Sequence, residues 1–180
     1  MRKPMNTVFG ATTVLVLASS GCTTTEHEER PMAEGVTFSN QWATAAETGM
    51  AAVFGTFTNT EHHAAQIVSG SSPVAGRVEI HEIAPNADGN KTMRSKDGGL
   101  TVPADGTSDL MPGGNHLMLM DLNKPLQPGA DVTLTVIFED GSTLPVTAQV
   151  RDFAGGNEEY QPSPGSPTGL PTTGADHGHG

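Results

Sequence analysis

The sequence predicts an all-β protein in which one domain forms an antiparallel β-sandwich. From Val36 to Phe153 the apolar residues come in short runs rich in Val, Thr and Phe, separated by Gly, Pro, Asn and Asp. No segment repeats apolar residues at helical spacing for long enough to form a convincing helix. Seven or eight short strands in roughly 115 residues are typical of a β-sandwich.

The first 21 residues resemble an export signal. Two basic residues precede a short apolar run, Val8 to Ala18, and small residues then lead to Gly21 and Cys22. The apolar run is too short to span a bilayer as a helix. We therefore expect residues 1–21 to be a lipoprotein signal peptide and Cys22 to be lipidated, although Ser19 stands where such signals prefer Leu. The alternative is ordinary signal cleavage, which would release the protein.

The next segment, residues 22–34, is polar and has no periodic apolar face, so it is expected to be a flexible tether. The folded domain is expected over residues 35–153. Asp140-Gly141 between the last two long runs predicts a hairpin turn, because both residues tolerate positive φ angles. The predicted strands are Ala51–Asn59, Ala65–Ser69, Arg77–Glu82, Thr92–Arg94, Leu100–Val102, Asn115–Met120, Asp131–Phe138 and Leu144–Val150.

Residues 154–180 are rich in Gly and Pro and poor in apolar residues, so they cannot bury enough surface to offset their chain entropy. A disordered tail is expected there. It ends in His177 and His179, each followed by Gly. These histidines form either an accessory metal site, for which Cu(II) is a candidate, or a solvated chain end.

Charge and cysteine content exclude several functions. The formal net charge is −11 with Arg2 and Lys3 included. Such a surface repels nucleic acid, which requires clustered basic residues. It either keeps an exported protein soluble or faces a basic partner. If Cys22 carries lipid, the domain has no cysteine for a disulfide, a zinc finger, an iron–sulfur cluster or a blue-copper site. The domain also lacks a nucleophile elbow and a metal-hydrolase motif, so an enzyme is not expected.

Two histidines and two methionines are the residues best suited to chemistry: His81, Met93, His116 and Met118. Strand alternation places Leu117 on one face and His116 and Met118 on the other, and places His81 opposite its apolar neighbours. Thioether sulfur is a soft donor, so such a set selects copper, above all Cu(I). Each residue alone is equally consistent with surface decoration or gap filling. Their joint placement predicts a Cu(I) site, with Met120 as an accessory candidate.

The chain resembles the PCuAC family of periplasmic copper chaperones, which are small β-sandwiches of cupredoxin-like or immunoglobulin-like topology. The resemblance extends from Gln41 to Val150 and includes Trp42 and the two segments from Val78 to Glu82 and from Pro112 to Leu122. The family's motif is a His, a Met about a dozen residues later, and a His-x-Met some twenty-odd residues after that. His81, Met93, His116 and Met118 occupy those positions.

The resemblance implies that these four residues hold one Cu(I) near the surface and pass it on. The protein is expected to be a monomer, anchored by its lipid on the periplasmic or outer face of the cytoplasmic membrane. The resemblance also implies partners in cytochrome c oxidase assembly, either the copper-centre subunit itself or a thioredoxin-like Sco protein. Two alternatives stay open: a copper buffering or resistance protein, and a metal-free surface interaction module in which the His and Met residues are incidental.

Overall fold

The computed structural model describes residues 30–153 and the backbone of residues 160–161. One short helix precedes the strands in this part of the chain: α1 spans Met32–Gly35. The strands are β1 Val36–Thr44, β2 Ala51–Asn59, β3 Ala65–Ser71, β4 Ala75–Pro85, β5 Lys91–Ser95, β6 Leu100–Val102, β7 Thr107–Leu110, β8 His116–Leu122, β9 Asp131–Phe138, β10 Thr143–Arg151 and β11 Tyr160–Gln161. Among the described residues no helix is long and apolar enough to cross a membrane.

Seven strands form a closed ring in the order β4, β8, β2, β1, β10, β9, β3 and back to β4. The remaining strands are additions: β7 pairs with β2, β6 with β3, β5 with β4, and β11 with β5. Closure joins Gly70 of β3 to Val78 of β4. A Cβ at Gly70 would lie 3.0 Å from the Val78 side chain, so the two strands approach this closely because the residue has no side chain.

The main hydrophobic core fills the ring. Every long strand contributes the residues that point inward, including Phe57, Ile67, Leu117, Val136 and Phe138, each almost fully buried. The pattern along β9 and β10 alternates between more buried and more exposed positions, as expected for strands with one face on a core and the other in water. This all-β arrangement confirms the predicted fold class.

The sequence did not predict three of the strands. β1 pairs with β2 through a bulge between Ser39 and Trp42, where Asn40 has a φ of 54°. The bulge breaks the alternation that sequence patterns detect, and it turns Trp42 to the outer face beside Phe54. β1 also pairs with β10 in parallel, so the sheet is not wholly antiparallel. The other two unpredicted strands, β7 and β11, are short.

Contacts extend beyond the predicted domain, residues 35–153, at both of its ends. Met32 and Ala33, which lie within the predicted tether, pack against the main core. Their backbone N–H groups donate to Asp140 and Ser142 in the turn between β9 and β10, at 2.7 and 3.0 Å. At the other end, Tyr160–Gln161 pair in parallel with Met93 and Arg94 of β5, within the segment predicted to be a tail.

Candidate metal centre

Strand β8 carries residues of opposite character on its two faces. Leu117 and Leu119 point into the main core. Met118 and Met120 point outward and form, with Met93, a second and smaller apolar cluster, which we call the outer cluster. His116 lies on this outer face too, because side chains alternate along a strand. The faces predicted from the sequence are therefore confirmed for β8.

Strand β4 lies beside β8 and places its own polar row next to these residues. The antiparallel register pairs His81 with His116, and Glu79 with Met118. The two imidazole rings lie 5.8 Å apart between centroids and meet edge to face. Residues directly opposite each other on neighbouring strands have side chains close enough to act together, so the register is what brings the two histidines to one place.

The hairpin of β4 and β5 supplies the fourth side chain. β4 continues past the ring and pairs with β5, so that Met93 lies opposite Ile83. This places the Met93 Sδ 3.1 Å from the His116 Nε2. Met50, Ala52 and Ile83 pack around the three methionines of the outer cluster. His81, Met93, His116 and Met118 are thus brought together from three strands.

These side chains are almost completely buried, which the sequence did not predict. The exposed fractions are 0% for His81, 8% for Met93, 3% for His116 and 4% for Met118. The resemblance implies a site near the surface, but these four side chains have almost no contact with solvent. The outer face of β8 is covered by the β4–β5 hairpin and by aromatic side chains, so it forms a second small core.

Three aromatic residues cover the His116 side of the cluster. The Phe54 ring lies 5.9 Å from the His116 ring, and Trp42 packs on Phe54 at 4.7 Å between centroids. Phe153, just after β10, contacts both Trp42 and Phe54. This aromatic wall excludes water from His116 and lowers the local dielectric.

Each histidine has a defined hydrogen-bond partner. The His81 Nε2 lies 2.8 Å from a Glu79 carboxylate oxygen. The His116 Nδ1 lies 3.1 Å from the carbonyl oxygen of Gly114. Burial lowers the pKa of His81 below its ordinary value, although the Glu79 carboxylate opposes that shift. A neutral imidazole is the form that binds a metal, so burial favours the ligating form of His81.

Glu79 is itself held as an anion. Burial alone would raise its pKa, but hydrogen bonds from His81 and Arg77 outweigh that effect and the pKa lies below the ordinary value. Arg77 donates its Nε to the other Glu79 oxygen at 2.6 Å. The contact between Glu79 and His81 was not predicted from the sequence. Glu79 stands two residues before His81, and strand alternation places both side chains on the same face, so the spacing could have indicated it.

The other candidate residues differ in where they lie. Met120 is fully buried in the outer cluster, whereas Met111 is 50% exposed and lies outside it. His62 and His63 are exposed at the end of β2, where His62 pairs with Asp105. Cys22, His177 and His179 lie outside the described residues.

The set of donors fits a soft metal ion. Within residues 30–153 no three His, Cys, Asp or Glu side chains come together to form a metal site of that kind. The cluster instead combines two imidazoles with thioethers, and thioether sulfur favours Cu(I) over zinc, calcium or magnesium. Thioethers also bind without releasing a proton.

Comparison with known proteins identifies relatives of two kinds. Residues 36–150 match the family described as "Putative lipoprotein LpqE-like". A protein of Leifsonia xyli subsp. xyli described as "Putative lipoprotein Lxx21020" is 39% identical over 157 residues, covering 84% of this chain and 94% of that protein.

Solved structures share the fold. The copper-bound PCuAC domain of PmoF2 superposes with a TM-score of 0.54 at 18% identity, covering 66% of this chain and 94% of that domain. The CuI-DR1885 structure from Deinococcus radiodurans gives a TM-score of 0.50 at 30% identity, covering 68% of this chain and 84% of that protein. The resemblance to the PCuAC family is confirmed.

Proposed function

Because the chain belongs to the LpqE-like lipoprotein family and has the fold of PCuAC domains, we propose that it is an exported copper chaperone. In this proposal residues 1–21 are the signal peptide and Cys22 carries the lipid that anchors the protein to a membrane. Residues 22–34 tether the copper-binding domain, residues 35–153, to that anchor, and Met32 and Ala33 at the end of this segment pack against the core of the domain. The protein has no catalytic role.

The convergence of soft donors is the observation that supports this function most directly. His116 Nε2 and Met93 Sδ are 3.1 Å apart, and His81 and Met118 are brought to the same place by the β4 and β8 register. We propose that His81, Met93, His116 and Met118 bind one Cu(I). All four donors are neutral, so they favour the singly charged ion, for which desolvation in a buried site costs less.

Delivery to cytochrome c oxidase is the proposed purpose. The copper-centre subunit or a Sco-type protein would receive the ion on the periplasmic or outer face of the cytoplasmic membrane. The support is the resemblance to the PCuAC family. His177 and His179 are proposed as an accessory site for Cu(II), and Met120 as an accessory thioether ligand.

Copper buffering is a second candidate, and burial favours it. A ligand such as Met93, at 8% exposure, must be uncovered before an acceptor can reach the ion. Slow release suits sequestration better than rapid transfer. The two functions share the same site and differ in the rate at which copper leaves it.

The test is an anaerobic Cu(I) titration against a chromophoric chelator. We would use residues 23–180, which include every residue that the structure describes, and compare the parent with His81→Ala and Met93→Ala. One equivalent bound by the parent, and binding weakened about tenfold or more in both variants, is the expected result. Met111→Ala and His63→Ala are matched controls, because both residues are exposed and lie outside the cluster. Equal affinity in all five proteins would reject the site.

A transfer experiment separates delivery from buffering. The Cu(I)-loaded protein would be mixed with the copper-free soluble domain of the oxidase subunit, and separately with a small chelator of equal affinity. Faster transfer to the protein acceptor than to the chelator indicates delivery. Equal and slow rates with both acceptors indicate buffering.

A further inference from the structure

A polar row lies beside the metal-binding candidates on the outer face of β4. Arg77, Glu79 and His81 alternate with inward residues and so share this face. The register places Arg77 opposite Met120 and Glu79 opposite Met118. Only His81 of this row belongs to the proposed donor set, so the other two residues need a separate explanation.

Hydrogen bonds link this row into a chain that ends at His81. Glu79 bridges its neighbours: one carboxylate oxygen accepts from Arg77 Nε at 2.6 Å, and the other lies 2.8 Å from His81 Nε2. Arg77 also donates its Nη1 to Asp121, which follows the methionines on β8. Both carboxylates therefore hold Arg77 in place, and Arg77 in turn fixes the orientation of Glu79.

The contact with Glu79 determines which nitrogen of His81 carries the proton. An ionised carboxylate only accepts hydrogen bonds, so His81 must donate from Nε2. In a neutral imidazole only one nitrogen is protonated, and the other has the lone pair. His81 thus has its proton on Nε2 and its lone pair on Nδ1.

His116 is held in the opposite tautomer. A backbone carbonyl is a stronger acceptor than a thioether, so the proton of His116 is on Nδ1, 3.1 Å from the Gly114 oxygen. Its lone pair is then on Nε2, the nitrogen that lies 3.1 Å from Met93 Sδ. The two histidines present different nitrogens because their protons are bound by different partners.

We propose that Glu79 is a positioning residue that fixes His81 as the Nε2–H tautomer, so that copper is offered Nδ1 of His81 and Nε2 of His116. This inference rests on the proposed function for the identity of the metal. The tautomers themselves are a property of the copper-free protein. A hydrogen bond from a ligand histidine to a carboxylate is a known way of setting ring orientation and raising ligand basicity.

The first measurement is made on the copper-free parent, residues 23–180, labelled with ¹⁵N-histidine. Long-range ¹H–¹⁵N spectra at about pH 8, above the ordinary histidine pKa, distinguish protonated from lone-pair nitrogens. We expect Nε2–H for His81 and Nδ1–H for His116. An Nδ1–H tautomer at His81 would overturn the proposal without any variant having to fold.

The second measurement uses Glu79→Gln, which has the same shape. Arg77 is only a donor and takes the single amide oxygen, so the amide NH₂ group faces His81 Nε2. That reversal favours the Nδ1–H tautomer and removes the lone pair from the proposed ligand nitrogen. We expect the His81 spectrum to change and Cu(I) affinity to fall about 10–100-fold, the range typical of such partners.

Glu82→Gln is the matched control. Glu82 also lies on β4, but it accepts hydrogen bonds from Arg94 and Lys96 and not from a histidine. Glu82→Gln should leave the His81 tautomer unchanged and the Cu(I) affinity within about twofold of the parent. Circular dichroism should show that both variants are folded. An unchanged His81 tautomer and Cu(I) affinity in Glu79→Gln would mean that Glu79 only forms an ion pair with Arg77, and would reject the inference.

Failure of the proposed function gives a different result. If the parent binds no Cu(I), the copper proposal fails, while the His81 tautomer and its change in Glu79→Gln are still observed. If the parent binds Cu(I) and the tautomer is the one expected, both stand. The two proposals are therefore tested by separate signals.

Discussion

Replacing Met118 separates packing from metal binding in the outer cluster. Met118 is 4% exposed and packs with Met93 and Met120, so Met118→Ala removes buried apolar volume even in the copper-free protein. Replacing a buried Met by Ala costs roughly 2–5 kcal/mol. Because this cluster is smaller than the main core and can relax, we expect the lower end, about 2–3 kcal/mol. His116 is buried as well, at 3% exposure, so replacing either side chain also removes packing.

The assay is urea unfolding of the copper-free protein in the presence of a chelator. Met111→Ala is the control: this residue is 50% exposed, and a surface change of this kind stays within about 0.5 kcal/mol. A cost below about 1 kcal/mol for Met118→Ala would refute the packing described for the outer cluster.

Met118→Leu then isolates the sulfur. Leu has a similar volume, so the cost without copper should be under about 1.5 kcal/mol. With free Cu(I) at about a thousand times its dissociation constant, the parent should gain about 4 kcal/mol of stability. Each tenfold loss of affinity in Met118→Leu removes about 1.4 kcal/mol of that gain. An unchanged gain in Met118→Leu would show that the thioether is not a ligand.

Three further predictions concern other parts of the chain. Gly99→Ala should lower the free energy of unfolding in urea by more than about 2 kcal/mol, because φ is +78° and a Cβ would overlap a carbonyl oxygen of β3. Gly98→Ala is the control: it has open space around it and should cost only about 1 kcal/mol. Asp140→Ala should cost about 0.5–1 kcal/mol at neutral pH, because an exposed carboxylate that accepts from the first turn of α1 is lost. Burial alone would raise the Asp140 pKa, but hydrogen bonds from a serine hydroxyl and backbone N–H groups outweigh it and lower the pKa. Its contribution is therefore complete above the ordinary carboxyl pKa and disappears as the pH falls through the lower folded value, so unfolding curves of parent and variant should converge in acid. Finally, Cu(I) should change the fluorescence emission of Trp42, the single tryptophan, because Trp42 packs on Phe54 and Phe54 contacts His116. His116→Ala should abolish that change. An unchanged response in the variant would argue against copper at His116.

Local periodicity explains what could be predicted about the strands. Alternation along β8 separates Leu117 and Leu119 from His116 and Met118, and this assignment needs no knowledge of the neighbours. The bounds of β2, β6 and β9 follow for the same reason, since apolar runs and turn residues delimit them. β1 was missed because its bulge at Asn40 is stabilised by pairing with β2, and that pairing is not visible in a local pattern.

The sequence by itself determined the β-rich fold class, the opposite faces of the strands and the four candidate donors, because each depends on residue type and on spacing along one strand. Only the tertiary structure decided that the donors are buried, that Glu79 and Gly114 hold the two histidines, and that Met93 reaches His116. Strand alternation states which side chains share a face, but what covers that face depends on elements far away in the chain. Here Trp42, the β4–β5 hairpin and Phe153 converge on it only when the ring of strands closes.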